Sequence, residues 1–323
     1  MVTPRRDERD AVPARLGVGR RRVKAISQRT LGGPDVLETI DVPIPEPGRG
    51  EVLVRLGATS VNTVDCALRS GRVRFLGPPP FTVGFDLSGT VVGVGPDVTE
   101  FGSGDAVFGM VHSRTGTYCE YVVARADRLG PRPAGLDDLR AAALPTAAST
   151  AWQGVVAANP QVGERVLVHA AAGGVGHFAV QFARQRGAHV IGTARAVNHE
   201  FPRGLGVDEV IDYTTTDFTT VLDGVDVVFD LVGGAYGQRS LRVLRADGRY
   251  ITAQESDAVD DPRCRRITAR PRPAELVAIG ELAVAGDLYV HLDRVLPLDD
   301  VVLAHALSES GHSRGKVVLT PWK

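Results

Sequence analysis

Gly173, Gly174 and Gly176 stand between an apolar run at residues 166–171 and an amphipathic stretch carrying Phe178, Val180 and Phe182. Glycines spaced this way between a buried strand and a helix let the backbone approach a diphosphate closely. The helix start, including Val175, then offers the anion N–H groups that have no intrahelical partner. Gly173 and Gly176 fill the second and third glycine places of the dinucleotide fingerprint, whereas Ala171 replaces the first. The bland alternative is a tight strand-to-helix turn with no ligand. A second signal lies at the end of the next strand-like run, residues 189–193. An NAD site places an acid there, about 20 residues after the turn, to hold the ribose hydroxyls. Here the residue is Arg195, and Glu200 is the one acid nearby. A guanidinium can meet the additional phosphate of NADP bidentately, a contact worth roughly 1.5–3 kcal/mol. NADPH is therefore the expected cofactor, against the alternative that Arg195 is a solvated surface residue.

A scaffold must present these residues. From Val23 to about Thr146 the chain shows short β-rich runs, such as residues 51–56 with alternating apolar positions, broken by Pro/Gly clusters at 43–50 and 77–80. This half reads as a mostly antiparallel, barrel-like domain. Beyond Ala147, strand-length apolar runs at 166–171, 189–193, 209–211, 225–230 and 248–253 alternate with helix-length segments. That rhythm predicts an α/β doubly wound parallel sheet. The alternation stops near residues 271–273, leaving an amphipathic segment at 274–285 and a closing strand at 316–319. Too short to fold alone, this tail is expected to return to the first domain. The expected division is 23–146 with 273–323 for one domain and 147–272 for the other, with residues 1–22 a disordered tail.

Composition removes several function classes. At 323 residues, 43% hydrophobic and 23% charged, the chain is large enough for two globular domains. Lys plus Arg total 37 against 38 for Asp plus Glu, a net charge of -1, so no global positive field exists to hold nucleic acid. Cys66, Cys119 and Cys264 lie far apart with no CxxC spacing, which disfavours a disulfide framework and a cysteine-rich zinc lobe and points to a reducing cytoplasm. The uncharged run at 166–183 holds three glycines, two histidines and Gln181, and reads as a buried strand and helix, not a membrane span. No GxSxG nucleophile elbow is present.

Val61-Asn-Thr-Val-Asp65 with Arg69-Ser-Gly71, Gly84-Phe-Asp86, Gly116-Thr-Tyr-Cys-Glu-Tyr121, Ala143-Leu-Pro145 with Thr150-Ala-Trp152, the glycine turn, Val210-Ile-Asp-Tyr213 and Gly311-His-Ser-Arg-Gly-Lys316 follow one another in a specific order. On these motifs the chain resembles the zinc-independent quinone oxidoreductases of the medium-chain dehydrogenase/reductase superfamily, from about Val23 to Leu319. The resemblance implies a GroES-like, mostly β catalytic domain split in sequence around a Rossmann NADP(H)-binding domain, with the active site between them. It places Asn62 beside the nicotinamide ribose or the substrate carbonyl, Asp65 as the brace of its loop, and Thr150 at the nicotinamide end. It also assigns Thr193, Tyr213, Gly233 with Gly234, and Lys316 to the cofactor, Lys316 reaching phosphate or closing the cleft. Each has a plainer alternative: Asn62 as a turn former, Thr150 as a helix cap, Lys316 as a solvated charge.

Zinc-dependent alcohol dehydrogenases, which the chain also resembles, place Cys where Asn62 stands and Gly-His-Glu where Gly84-Phe-Asp86 stands. An amide and a phenyl ring cannot replace a thiolate and an imidazole in a tetrahedral site, so no metal is expected. What remains feasible is hydride delivery from NADPH into a quinone or an α,β-unsaturated carbonyl. Some enone-reducing relatives carry a proton-donating Tyr where Val73 stands, which leaves protonation to water or to another group. Tyr118, Tyr121 and His112 are the nearby candidates, and His169 and His177 read as structural. Two other functions compete with this reading: an enoyl reductase acting on a coenzyme A or carrier-protein thioester, and a non-catalytic NADPH sensor. A homodimer joined through the cofactor-domain sheets is expected from the resemblance alone.

Overall fold

The computed structural model describes residues 22–322. The expected tail lies outside these residues except for Arg22, which opens the first strand. Strands β1 (Arg22–Ser27) and β2 (Glu38–Pro43) pair antiparallel. Then come β3 (Glu51–Val61), helix α1 (Thr63–Ser70), β4 (Asp86–Val94), β5 (Ala106–Met110), β6 (Tyr121–Arg125) and β7 (Leu129–Pro131). Two helices, α2 (Asp138–Ala143) and α3 (Pro145–Ala158), lead to β8 (Arg165–Val168), α4 (Gly176–Gln185), β9 (His189–Ala194), α5 (Glu200–Gly204) and β10 (Glu209–Asp212). The chain continues through α6 (Phe218–Val221), β11 (Val225–Asp230), α7 (Tyr236–Val243), β12 (Leu244–Thr252), β13 (Cys264–Arg266) and α8 (Pro273–Ala285). It closes with β14 (Leu292–Pro297), α9 (Val301–Glu309) and β15 (Lys316–Thr320).

The 11-residue β3 organises the first sheet because it is long enough for its backbone to pair with two strands along one edge. It pairs with β6 over residues 51–55 and with β15 over residues 59–61, while β4 runs along it from Val52 to Ala58. A strand that changes partner in this way curls its sheet toward a barrel. The seven strands so joined enclose a core that includes Val52, Val54, Leu87, Val107 and Leu319. The pairing of β15 with β3 lays the C-terminal segment on this sheet.

The second sheet is parallel throughout, in the order β10-β9-β8-β11-β12-β13. Strand order reverses between β8 and β11, and in such sheets the crevice beyond the carboxyl ends at the reversal is where ligands bind. Helices α3 and α4 cover one face, burying Val155, Phe178 and Phe182 against Val166, Val168 and Phe229. The same cluster includes Ala58, Phe108 and Val318 of the first sheet and Leu276 and Ile279 of α8, so one apolar core runs across both sheets. Among the described residues no helix is long and apolar enough to cross a membrane.

Candidate functional site

The glycine turn comes directly out of β8. Ala170 adopts φ 54° and its carbonyl accepts from Gly173 N–H at 2.9 Å, which folds the chain back under the start of α4. Gly176 is required by packing, since a Cβ there would sit 2.1 Å from the Ala170 oxygen. The N–H groups of Gly174, Val175 and Gly176 donate to no acceptor among the described residues, while those of His177, Phe178 and Ala179 are already spent on the turn's own carbonyls. Three free donors on one turn at the strand-order reversal form a cradle that fits a diphosphate.

Arg195 follows β9 and Tyr213 follows β10; the two strands pair with Asp212 opposite Ala194, so these residues come next in register on neighbouring strand ends. The Arg195 guanidinium has no hydrogen-bond or ion-pair partner among the described residues, and Tyr213 is exposed. Thr193 departs from its expected role. It is buried, and its hydroxyl accepts from Ala170 N–H at 3.2 Å and lies 3.3 Å from His169 Nδ1, which holds the turn's shape from within. Gly233 and Gly234 have φ of 76° and 56°. A Cβ on Gly233 would lie 2.3 Å from the Glu255 carbonyl oxygen, so glycine is demanded by the crossing of two loops, whatever else binds there. The Gly233 and Val232 N–H groups donate to Asp230 Oδ1, which anchors that loop to the end of β11.

On the barrel side, Asn62 is the N-cap of α1 and Asp65 is its third helical residue. Asp65 Oδ2 accepts from Asn62 N–H at 2.8 Å and its Oδ1 from Gly84 N–H at 3.0 Å, so one carboxyl braces the helix start against the segment leading into β4. Burial pushes Asp65 up to about 7, opposed by the Asn62 N–H. The Asn62 side chain is committed at both ends: Nδ2 donates to Asp86 Oδ2 at 2.8 Å, and Oδ1 accepts from Lys316 Nζ at 2.5 Å. Thr150 is not a cap. It lies inside α3, and its hydroxyl donates to the Thr146 carbonyl at 2.7 Å.

Lys316 also departs from expectation. Its ammonium is neither solvated nor turned outward: it is buried, donates to the Val61 carbonyl at 3.2 Å as well as to Asn62, and lies 3.8 Å from Asp86 Oδ2. Burial pulls this lysine below its ordinary range, while the Asp86 and Asp65 carboxylates hold it up. Asp86, which sequence reasoning left out of the site, is its hub. Fully buried, it accepts from Ser60 Oγ at 2.5 Å, Thr146 N–H at 2.8 Å and Thr146 Oγ1 at 2.7 Å, besides Asn62. The available signal was an acid inside the apolar run at residues 83–87, since a charge so placed needs partners.

The remaining candidates lie apart from this network or beneath it. Tyr118 is fully buried, with its hydroxyl 3.3 Å from His305 Nε2, and burial raises it well above the usual phenol range. His305 Nδ1 in turn faces Cys66 Sγ at 3.5 Å. His112 is exposed overall and meets Phe85 edge-on at 4.9 Å; partial desolvation, then the Arg128 charge, lower it. His169 is satisfied by Thr193 and Ser240, whereas His177 bonds the Gly173 carbonyl through Nδ1 and leaves Nε2 without a partner. Val73 packs against the barrel core.

Residues 205–319 match the zinc-binding dehydrogenase family model and residues 48–134 the alcohol dehydrogenase GroES-like domain. The first description implies zinc, but the donors do not fit it. Asn62, Phe85 and Asp86 offer a single anionic ligand, and among the described residues no group of three or more His, Cys, Asp or Glu could hold a metal. The chain is 31% identical to the 2-methylene-furan-3-one reductase of Solanum lycopersicum, over 93% of this chain and 79% of that one. It is 30% identical to the chloroplastic NADPH-dependent alkenal/one oxidoreductase of Arabidopsis thaliana, over 93% and 80%. The solved structure of the quinone oxidoreductase from Coxiella burnetii superposes with a TM-score of 0.89 at 35% identity, covering 93% of this chain and 99% of that one. On this combination of a glycine-turn parallel sheet, a GroES-like barrel and full-length similarity, the chain belongs to the quinone oxidoreductase family of the medium-chain dehydrogenase/reductase superfamily.

Proposed function

We propose that the protein is an NADPH-dependent reductase of quinones and α,β-unsaturated carbonyls. The observation that carries the reading is the pairing of three uncommitted turn N–H groups with an unpartnered Arg195, at a strand end that lacks the acid an NAD enzyme needs. In this reading the turn holds the diphosphate, Arg195 with Tyr213 holds the adenosine phosphate, and Thr150 lies toward the nicotinamide. When bound, NADPH supplies a hydride to an electron-poor acceptor, whose oxygen gains negative charge. Asn62 is the donor placed for that oxygen, and Asp65 and Asp86 keep it in place from the barrel side. The names of the relatives, which include a furanone reductase, an alkenal/one oxidoreductase and a quinone oxidoreductase, support this acceptor class.

The direct test is NADPH oxidation against a panel of quinones and enones. Turnover with at least one is expected, and none with any would sink the assignment. Arg195→Asp should weaken NADPH binding by roughly 10- to 100-fold or more, because a charge-assisted contact is lost and a repulsion added, while NADH binding changes by only a few-fold. Titration of both cofactors by fluorescence decides this, and equal losses would remove Arg195 from the site.

A further inference from the structure

Three segments distant in sequence converge on one buried ammonium. Lys316 Nζ reaches Asn62 Oδ1 at 2.5 Å, and Asn62 Nδ2 reaches Asp86 Oδ2 at 2.8 Å. Rotating this carboxamide by half a turn would set its N–H groups against the ammonium and its carbonyl against the carboxylate, so the charges on either side fix which atom is which. Asn62 retains 8% of its exposure, against 3% for Lys316 and none for Asp86, making it the most exposed of the three. Its second Nδ2–H has no acceptor among the described residues. The Lys316 stem passes under the glycine turn, where a Cβ on Gly174 would lie 3.4 Å from Lys316 Cδ, and Gly315 N–H donates to the Ala172 carbonyl at 2.9 Å.

We infer that Lys316 is a positioning residue, whose buried ammonium clamps and polarises the Asn62 carboxamide so that it presents an N–H, and never its carbonyl, to the oxygen of the hydride acceptor. A cation on the carbonyl side makes the opposite N–H a stronger donor, because hydrogen bonds in a chain polarise one another. The inference rests on the reductase reading for the identity of the acceptor, but the clamp itself does not.

Lys316→Met removes the charge at similar length. At saturating NADPH, kcat is expected to fall roughly 10- to 100-fold, the loss of one charge-assisted interaction, with the Kd for NADPH staying within about threefold. Asn62→Ala should fall comparably, and the double variant should lose no more than the worse single, since both act through one amide. Losses that multiply would overturn the proposal. So would a Kd for NADPH weakened tenfold or more with kcat retained, which would make Lys316 a phosphate contact instead. Should Lys316→Met not fold, Lys316→Gln, which keeps a neutral donor, is expected to fall between wild type and Asn62→Ala. A readout without turnover separates the two readings: in 15N-asparagine-labelled protein, the Asn62 side-chain amide pair should be slow to exchange and should shift in the lysine variant. An unmoved pair defeats the clamp even in a protein that oxidises no NADPH, whereas a moved pair without turnover defeats only the reductase reading.

Discussion

Asp86→Ala lowers unfolding free energy by about 3–5 kcal/mol, the expected cost of stripping a buried cation of its carboxylate. The magnitude follows from what the side chain holds. Asp86 is fully buried, accepts four hydrogen bonds from Ser60, Asn62 and Thr146, and is the carboxylate nearest the Lys316 ammonium, at 3.8 Å. Once it is removed, Thr146 N–H loses its acceptor, Asn62 Nδ2 loses its anchor, and the ammonium keeps hydrogen bonds to neutral oxygens alone, with Asp65 the more distant carboxylate that still acts on it. A lysine so placed sheds its proton more readily, so the variant should regain stability as pH rises. The double variant Asp86→Ala with Lys316→Met should recover much of the loss, because the uncompensated charge is then gone. Urea unfolding of the two single variants and the double decides it. A double variant as unstable as the sum of its parts would mean that the pair is not coupled through charge. Asp86→Asn keeps the shape and is expected to fall between wild type and alanine, with turnover reduced wherever Asn62 loses its orientation.

Acidification from pH 7 to pH 5 should remove about 4 kcal/mol of stability, a large part of the 5–15 kcal/mol typical of a folded domain. The cause is three buried histidines, which burial lowers from 6.5 to about 4 for His169 and to about 3 for His177 and His305. The unfolded chain takes up these protons below about pH 6.5, while the native fold refuses them until far lower pH. Stability from each is therefore complete above pH 6.5 and is lost as pH falls toward the folded values, at about 2 kcal/mol per histidine by pH 5. Asp65 acts in the opposite direction. Its folded value of about 7 lies above the ordinary 3.8, so its contribution grows as pH falls across that window and offsets about 2 kcal/mol at pH 5. Chemical unfolding at the two pH values tests the sum. Stability that holds or rises toward pH 5 would show that the folded protein admits protons at these imidazoles. His305→Gln should flatten the dependence by about one histidine's share, since Tyr118 Oη and Cys66 Sγ remain as partners for an amide.

Most of the parallel sheet was legible because its strands are buried on both faces and read as continuous apolar runs; residues 225–230, all buried, coincide with β11. Strands β13 and β14 were not legible. Cys-Arg-Arg and Leu-Asp-Arg-Val-Leu-Pro are mostly exposed or half-buried, and they become strands through pairing with β12 and β15, not through any pattern of their own. The barrel side of the site divides the same way. Asp65 as a brace came from the resemblance, and the structure realises it through a local relation, three residues after an N-cap. Asp86 as hub and Lys316 as a buried ammonium depend on residues 24 and 254 positions from Asn62.

The sequence by itself determined the glycine turn, the absence of an acid where Arg195 stands, the amide and phenyl ring at Asn62 and Phe85, and the alternation that builds a doubly wound sheet, because each is fixed by neighbours within one or two elements. Tertiary structure alone decided that Thr193 faces inward, that Thr150 lies mid-helix and that Lys316 points into the barrel side at Asn62. Whether a long polar side chain ends in water or in a buried network is settled by the partners that distant strands bring to it, and the chain's own order does not record where those strands meet.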